Sequence, residues 1–85
     1  MKINLASAND RGFLRGEFTD RYGEQCSIQK SSLAGEDCIW LGCNHETINH
    51  KTGQQCGARM HLTRQMAADL LPLLQHFVET GELPK

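Results

Sequence analysis

The chain has 85 residues, of which 39% are hydrophobic and 22% are charged. This composition is typical of one small globular domain and argues against general disorder. The formal net charge of −1, from 9 basic and 10 acidic residues, does not provide over the whole chain the positive charge on which non-specific DNA binding depends, and it leaves open only a local basic patch. No apolar run approaches the ~18 residues of a membrane span.

The opening residues, Met1 to Ser7, lack the apolar segment of a signal peptide. We therefore expect a cytoplasmic protein that has no contact with a membrane. In that reducing compartment cysteines are expected to be thiols or metal ligands, not disulfides. The cysteines are Cys26, Cys38, Cys43 and Cys56.

Alternation of polar and apolar residues predicts four strands. Their approximate bounds are 13–19, 25–32, 37–43 and 58–62. Asp20 to Glu24 supplies the first turn, in which Gly23 is able to take a positive φ. Residues 44–57 are predicted to be a polar loop. The first ten or so residues are expected to be loosely ordered or to add an edge strand around Ile3 to Leu5.

The second and third strands are predicted to form a hairpin with its tip at Ala34 and Gly35. In this register Cys26 faces Cys43 and Ile28 faces Leu41. Because side chains alternate along a strand, the hairpin has two different faces. One face carries Cys26, Ile28, Ile39, Leu41 and Cys43, and the other carries Ser27, Gln29, Ser31, Cys38 and Trp40.

A C-terminal amphipathic helix is predicted over about 64–80. Thr63 is a suitable N-cap, Gly81 suits the position after the last turn, and Pro72 is expected to kink one helix. The apolar stripe, which we expect to cover one sheet face, is Met66, Ala67, Leu70, Leu71, Leu73, Leu74, Phe77 and Val78. The predicted fold is α+β, a small antiparallel sheet of about four strands packed on one helix in a single domain, 1–85.

The strongest candidate for a metal site lies in and beside the polar loop. Two thiols and two imidazoles form a sensible tetrahedral zinc set. Their spacing, however, lacks the close pairs that are typical of zinc knuckles. The alternative of a zinc-stabilised module therefore uses Cys43, His45, His50 and Cys56. The interpretation we adopt is a metal-free loop with Cys43 ending a core strand, so no cofactor is predicted.

No catalytic constellation is recognisable. Ser31 and Ser32 stand near a hairpin turn without a Gly-x-Ser-x-Gly elbow. The carboxylate of Asp37 disfavours a thiolate at the neighbouring Cys38. The sequence has no phosphate-binding glycine loop and no paired carboxylates at helical spacing. We therefore predict that the chain is not an enzyme.

The sheet face opposite the helix is the predicted recognition surface. Trp40, the only tryptophan, stands there among hydroxyls and an amide, which is typical of a binding surface. Arg59 and His61 join it if the fourth strand pairs alongside. The predicted surface is Ser27, Gln29, Ser31, Trp40, Arg59 and His61. In a different register Trp40 belongs to the core, and a plain homodimer contact is the other interpretation of this face.

A nucleotide or nucleic acid is an alternative ligand for this face. Trp40 would stack on a base and Arg59 would bind a phosphate, with Lys30 and Arg64 adding charge. The near-neutral composition makes a polynucleotide the less favoured form.

A chain of this size buries only somewhat more than ~60% of its unfolded surface. We therefore also expect a homodimer.

Three strings of the sequence are specific enough to compare. They are YGxxCSIQxSSLA (Tyr22 to Ala34), EDCIWLG (Glu36 to Gly42) and ARMHLT (Ala58 to Thr63). With them the chain resembles, roughly from Gly16 to Leu83, a group of small uncharacterised bacteriophage and prophage proteins. The segment from Cys43 to Cys56 lies outside the shared pattern. The resemblance implies an accessory protein that binds a host enzyme or a defence component in the host cytoplasm, and it carries over no site residue.

Overall fold

The computed structural model describes residues 3–7, 12–48, 51–53 and 55–85. They form a five-stranded antiparallel sheet followed by one helix. The elements are β1 (Ala6–Ser7), β2 (Leu14–Thr19), β3 (Gln25–Lys30), β4 (Cys38–Ile48), β5 (Gln55–Thr63) and α1 (Arg64–Thr80). The predicted α+β class is confirmed, and the sheet has five strands in place of four.

The sheet is a meander, in which each strand pairs with the next one along the chain. The turn between β2 and β3 is built by Asp20, whose Oδ1 accepts hydrogen bonds from the backbone N of Tyr22 (2.8 Å) and of Glu24 (3.0 Å). Gly23 takes a φ of 85° there, as predicted. Glycine adopts this left-handed conformation without a steric penalty.

The edge strand β1 lies just after the position that the sequence indicated. Ile3 and Leu5 precede it, and their side chains lie over Gly16 of β2. A Cβ on Gly16 would stand 2.5 Å from Ile3 Cγ2 and 2.9 Å from Leu5 Cδ2. The absence of a side chain at Gly16 therefore lets the N-terminal segment pack onto the sheet.

The predicted register of the β3–β4 hairpin is confirmed, because Cys26 is opposite Cys43 and Ile28 is opposite Leu41. Cross-strand pairing then defines the two faces of the whole sheet. The apolar face carries Phe18, Cys26, Ile28, Ile39, Leu41, Cys43, Met60 and Leu62. The polar face carries Arg15, Glu17, Ser27, Gln29, Trp40, Arg59 and His61.

The structure corrects the polar loop predicted over 44–57. β4 continues to Ile48 and β5 begins at Gln55, so most of this segment belongs to a long hairpin. The pairing is irregular between Gly42 and Glu46. Strands at such a hairpin end are held by backbone hydrogen bonds, and they need no apolar side chain. Without an alternation of polar and apolar residues, the sequence pattern therefore predicts a loop in this segment.

α1 follows β5 directly, and both of its predicted caps are confirmed. Thr63 Oγ1 accepts a hydrogen bond from the backbone N of Met66 at 3.1 Å. Gly81 has a φ of 78° and its backbone N donates to Phe77 O at 2.8 Å. Pro72 lies inside one continuous helix, as expected. Within the described ranges, no helix has the length and apolar character that crossing a membrane requires.

The apolar stripe of α1 does not cover the sheet in the way the sequence suggested. No residue of the helix is buried, and its main contacts are with β5. The helix starts at the residue after that strand, so no connecting loop turns it back over the sheet. Its first turn reaches the apolar face, where Ala67 lines a cleft with Ile39 and Leu62.

The core of the isolated chain is small. Among the described residues the buried apolar side chains are Cys26, Cys38 and Leu62. The accessible surface is 7041 Å², whereas a compact monomer of this mass has about 5,000 Å². The radius of gyration is 14.8 Å, against about 12 Å for a compact domain of this length. The single chain thus leaves much of its apolar surface in water.

Candidate functional site

The polar face of the sheet brings together side chains from four strands. Arg15, Gln29, Trp40 and His61 are successive partners across β2, β3, β4 and β5. Arg59 stands two residues from His61 on the same side of β5. We call these five residues the Trp40 face. Of the predicted surface, Gln29, Trp40, Arg59 and His61 therefore do lie together.

Trp40 and His61 form an ordered aromatic pair. Their ring centroids are 3.9 Å apart and the rings are within 9° of parallel. His61 Nε2 lies 3.0 Å from the hydroxyl of Ser31, which is buried. This hydrogen bond to a buried hydroxyl holds the imidazole in place, although His61 itself is exposed. The stack and the hydrogen bond therefore set the orientation of both rings before any ligand arrives.

Arg59 lies across this pair. Its guanidinium carbon is 5.3 Å from the centroid of the Trp40 ring, a distance at which the cation is attracted to the ring. Its Nη1 donates to Gln29 Oε1 at 3.0 Å, so the side chain spans from β5 to β3. Gly42 is the β4 residue opposite Arg59. Because Gly42 has no side chain, the Arg59 side chain can cross β4 at this position and reach Gln29 on β3.

Gln29 joins two positive charges. Its Oε1 accepts hydrogen bonds from the Nη1 atoms of both Arg15 and Arg59, each at 3.0 Å. Arg15 also pairs with Glu17 at 3.2 Å. Among the described residues, no carboxylate lies within 4.0 Å of Arg59. A guanidinium has five N–H donors, so within the described part of the chain Arg59 has no carboxylate partner and keeps donors beyond the one used by Gln29.

The two serines of the predicted surface lie beneath it. Ser27 is fully buried and its hydroxyl donates to Asn44 Oδ1 at 2.7 Å. Ser31 is also buried, and it accepts a hydrogen bond from the backbone N of Leu33 at 3.2 Å. Both hydroxyls are therefore bonded within the fold, and Ser31 also supports His61 of the Trp40 face. Arg15 also belongs to the face, because the register of β2 with β3 places it opposite Gln29. The sequence pattern alone does not set that register.

Two further basic residues of the nucleotide hypothesis lie elsewhere. Lys30 alternates with Gln29 and so belongs to the other side of β3, where its Nζ is 3.4 Å from Asp37 Oδ1. Arg64 is on the exposed start of α1, and its Nη1 is 4.0 Å from Asp37 Oδ2. The positive charge of the Trp40 face therefore comes from Arg15 and Arg59.

The pair of Ser31 and His61 has the distance of a nucleophile and its base, but Ser31 is buried beneath the imidazole. A substrate atom must reach the hydroxyl for such a pair to act. Cys38 is buried as well, and burial together with its hydrogen bond to Glu36 raises the pKa of its thiol. These groups therefore serve packing in the observed arrangement.

Cys43, the first ligand of the predicted zinc set, lies beside another thiol. Its Sγ is 3.7 Å from Cys26 Sγ. These two sulfurs and a carboxylate oxygen of Asp20 all lie within 4.8 Å of one another. A structural zinc site takes four ligands, and this group has three among the described residues. Burial, and then the hydrogen bond to Cys43, raises the pKa of Cys26, which favours a protonated thiol.

The other ligands of that predicted set are not brought to this cluster. His45 Nδ1 is 3.6 Å from Glu24 Oε2, as in an exposed ion pair. His50 lies outside the described residues, and so does the Cys56 side chain. Zinc binding by Cys43, His45, His50 and Cys56 therefore stays a prediction.

Comparison with protein-family models, with curated proteins and with solved structures finds no match to the chain. The resemblance to phage proteins therefore stays a prediction as well. The geometry of the Trp40 face is what remains to support a function. That face combines a stacked aromatic pair, a guanidinium without a carboxylate partner among the residues that the structure describes, and an amide that positions it.

Proposed function

We propose that this chain is a non-enzymatic accessory protein of phage type, which acts by binding a host protein or a small signalling ligand in the host cytoplasm. The Trp40 face is its recognition surface. The observation that carries the proposal is Arg59, held over Trp40 by Gln29 and without a carboxylate partner among the described residues. Inhibition of a host enzyme or of a defence system then follows from occupying that partner.

The order of the Trp40 face supports tight binding. Immobilising a long side chain on binding costs about 0.5–1.5 kcal/mol. Here the arginine and both rings are already fixed by contacts within the fold. Trp and Arg are also the residue types enriched among the side chains that dominate binding energy. The face therefore keeps most of its interaction energy for the partner.

The charge of the face indicates an acidic partner. Arg15 and Arg59 approach the same amide oxygen. Arg15 is paired with Glu17, whereas Arg59 has no carboxylate within 4.0 Å among the described residues. A carboxylate or phosphate bound to Arg59 would supply this counter-charge. We therefore expect the partner to present an acidic group beside a planar or apolar one.

Capture from bacterial lysate tests the proposal when it is combined with matched variants. We expect Trp40→Ala and Arg59→Gln to lose the partner that the wild-type protein captures. Arg64→Gln is the control, since it removes the same charge from an exposed position outside the face. Circular dichroism verifies that each variant is folded. A partner retained by both face variants would contradict the proposal.

A nucleotide is the second candidate ligand, and the parallel stack of Trp40 and His61 favours it. A base would extend the stack while its phosphate met Arg59. Because Trp40 is the only tryptophan, its fluorescence reports directly on the face. We expect adenosine monophosphate to quench this fluorescence in the wild type and not in Arg59→Gln. Equal quenching in both proteins would exclude a phosphate contact to Arg59.

A further inference from the structure

We propose that the apolar side of α1 is the contact surface for a second copy of this chain, so that the stable unit is a homodimer joined through its helices. The surface, which we call the helix stripe, comprises Met66, Leu70, Leu73, Leu74 and Phe77. Four of these side chains are markedly exposed: Met66 49%, Leu73 41%, Leu74 58% and Phe77 53%.

The chain's own sheet does not cover this stripe. The contacts of α1 are mainly with β5, and the helix residues that line the cleft beside Ile39 and Leu62 are Arg64 and Ala67, both in its first turn. An amphipathic helix of this length owes its stability mostly to packing of its apolar side. The stripe therefore requires a partner that the single chain does not supply.

The single chain as a whole exposes more surface than a compact fold, and the stripe is part of that excess. The accessible surface of 7041 Å² exceeds the value for a compact monomer of this mass by about 2,000 Å². If each of two copies buried half of that excess, the interface would total about 2,000 Å², the size at which obligate homodimers begin. Weak transient partners bury less than about 1,200 Å². The excess surface therefore fits a second copy.

The chemistry of the stripe is compatible with pairing to itself. A two-fold axis brings the same patch of both copies together, so each residue type must tolerate its own kind. The five residues of the stripe are all uncharged; Glu79 lies on the opposite side of the helix, and Asp69 lies at the edge of the stripe, where its carboxylate can stay in water. The stripe can therefore meet its copy without burying like charges.

A membrane surface fits the helix less well. Helices that lie in the interface of a bilayer carry Lys and Arg along their polar side. α1 has no basic residue in its last turn, and Arg64 at its start is its only Lys or Arg. The acidic polar side would instead be repelled by anionic lipids.

Sedimentation of the purified wild-type chain over a concentration series tests the dimer. We expect a species of twice 9.5 kDa that persists to low micromolar concentration. Leu74→Glu places a charge in the stripe and should remove the dimer. Ala68→Glu adds the same charge on the polar side of α1 and should leave it intact. A wild-type monomer, or a dimer that survives Leu74→Glu, would overturn the proposal.

A second measurement keeps the test decisive if Leu74→Glu fails to fold. The melting temperature of an obligate dimer rises with protein concentration, whereas that of a monomer does not. We expect this dependence in the wild type and in Ala68→Glu, and its absence would overturn the proposal. Trp40→Ala should also remain dimeric. The dimer and the recognition surface can therefore fail separately.

Discussion

The Trp40 face and the helix stripe are both open to water in the single chain, but they differ in how far their groups are satisfied. On the face, Gln29 holds two guanidinium groups and Ser31 holds His61. On the stripe, apolar side chains project without a covering layer. Exposed polar groups that bond to one another form a stable surface. Exposed apolar groups in a continuous row lower their free energy only when another surface covers them. This difference is why we propose the first as a ligand site and the second as an assembly site.

The largest expected loss of stability is at the contact between the sheet and α1. Leu62 is buried and lines the cleft beside Ala67 at the base of α1. Leu62→Ala should lower the free energy of unfolding by about 2–5 kcal/mol, because it removes buried methyl groups and leaves a cavity. Urea denaturation measures the change. Leu83→Ala is the matched control at an exposed position, and an equal effect of both variants would show that the joint is not packed as described.

The geometry of the Trp40 face can be broken at Gly42. A Cβ there would stand 2.7 Å from Ala58 O and 2.9 Å from Arg59 Cα, and the φ of Gly42 is 145°. Because both neighbours are backbone atoms, Gly42→Ala should cost about 1–3 kcal/mol of stability and change the fluorescence of Trp40. Gly35→Ala, which meets no atom within 4 Å, should do neither. Unchanged Trp40 fluorescence in Gly42→Ala would show that the position of Arg59 over Trp40 does not depend on the missing side chain at Gly42.

The smallest expected effect is on the pH dependence of stability. Burial raises the pKa of Cys26 and of Cys38 above the ordinary value of 9.0. Below pH 9.0 both thiols are protonated in the folded and the unfolded chain, and their contribution is fully present. As the pH rises from 9.0 through the raised values, the unfolded chain loses these protons first and stability falls.

Urea denaturation on both sides of pH 9.0 measures this loss. Cys38→Ser removes the thiol on the polar side of the sheet and should reduce the alkaline loss of stability. The remaining loss then belongs largely to Cys26 on the apolar side. If the wild type and Cys38→Ser lose stability equally, the Cys38 thiol is not protected by the fold.

Local features of the fold were predictable because local chemistry decides them. The period of two along β3 and β4 sets which residue faces Cys26. The side chain of Thr63 and the flexibility of Gly81 set the ends of α1. Gln29 and Trp40 of the Trp40 face followed from the same periodicity, whereas Arg59 and His61 joined it on the condition that β5 pairs beside β4. In each case the deciding interaction lies within one hairpin or one helical turn.

The remaining features depend on pairing or packing that no local pattern encodes. Arg15 joins the Trp40 face through the register of β2 with β3. The hairpin beyond Asn44 is held by backbone hydrogen bonds that polar side chains do not reveal. The amphipathic pattern of α1 indicates that its apolar stripe must pack against another surface. It does not indicate whether that surface is the sheet or another molecule.

The direct passage from β5 into α1 has a further consequence for binding. β5 carries Arg59 and His61, and Thr63 is both its last residue and the cap of the helix. With no flexible linker between them, helices paired in a dimer would hold two Trp40 faces at a fixed separation and angle. A target that is itself two-fold symmetric could then be bound at both sites. Such bivalent binding raises the apparent affinity by about 10²–10⁴ when the spacing matches, so the length and direction of α1 would help to select the target.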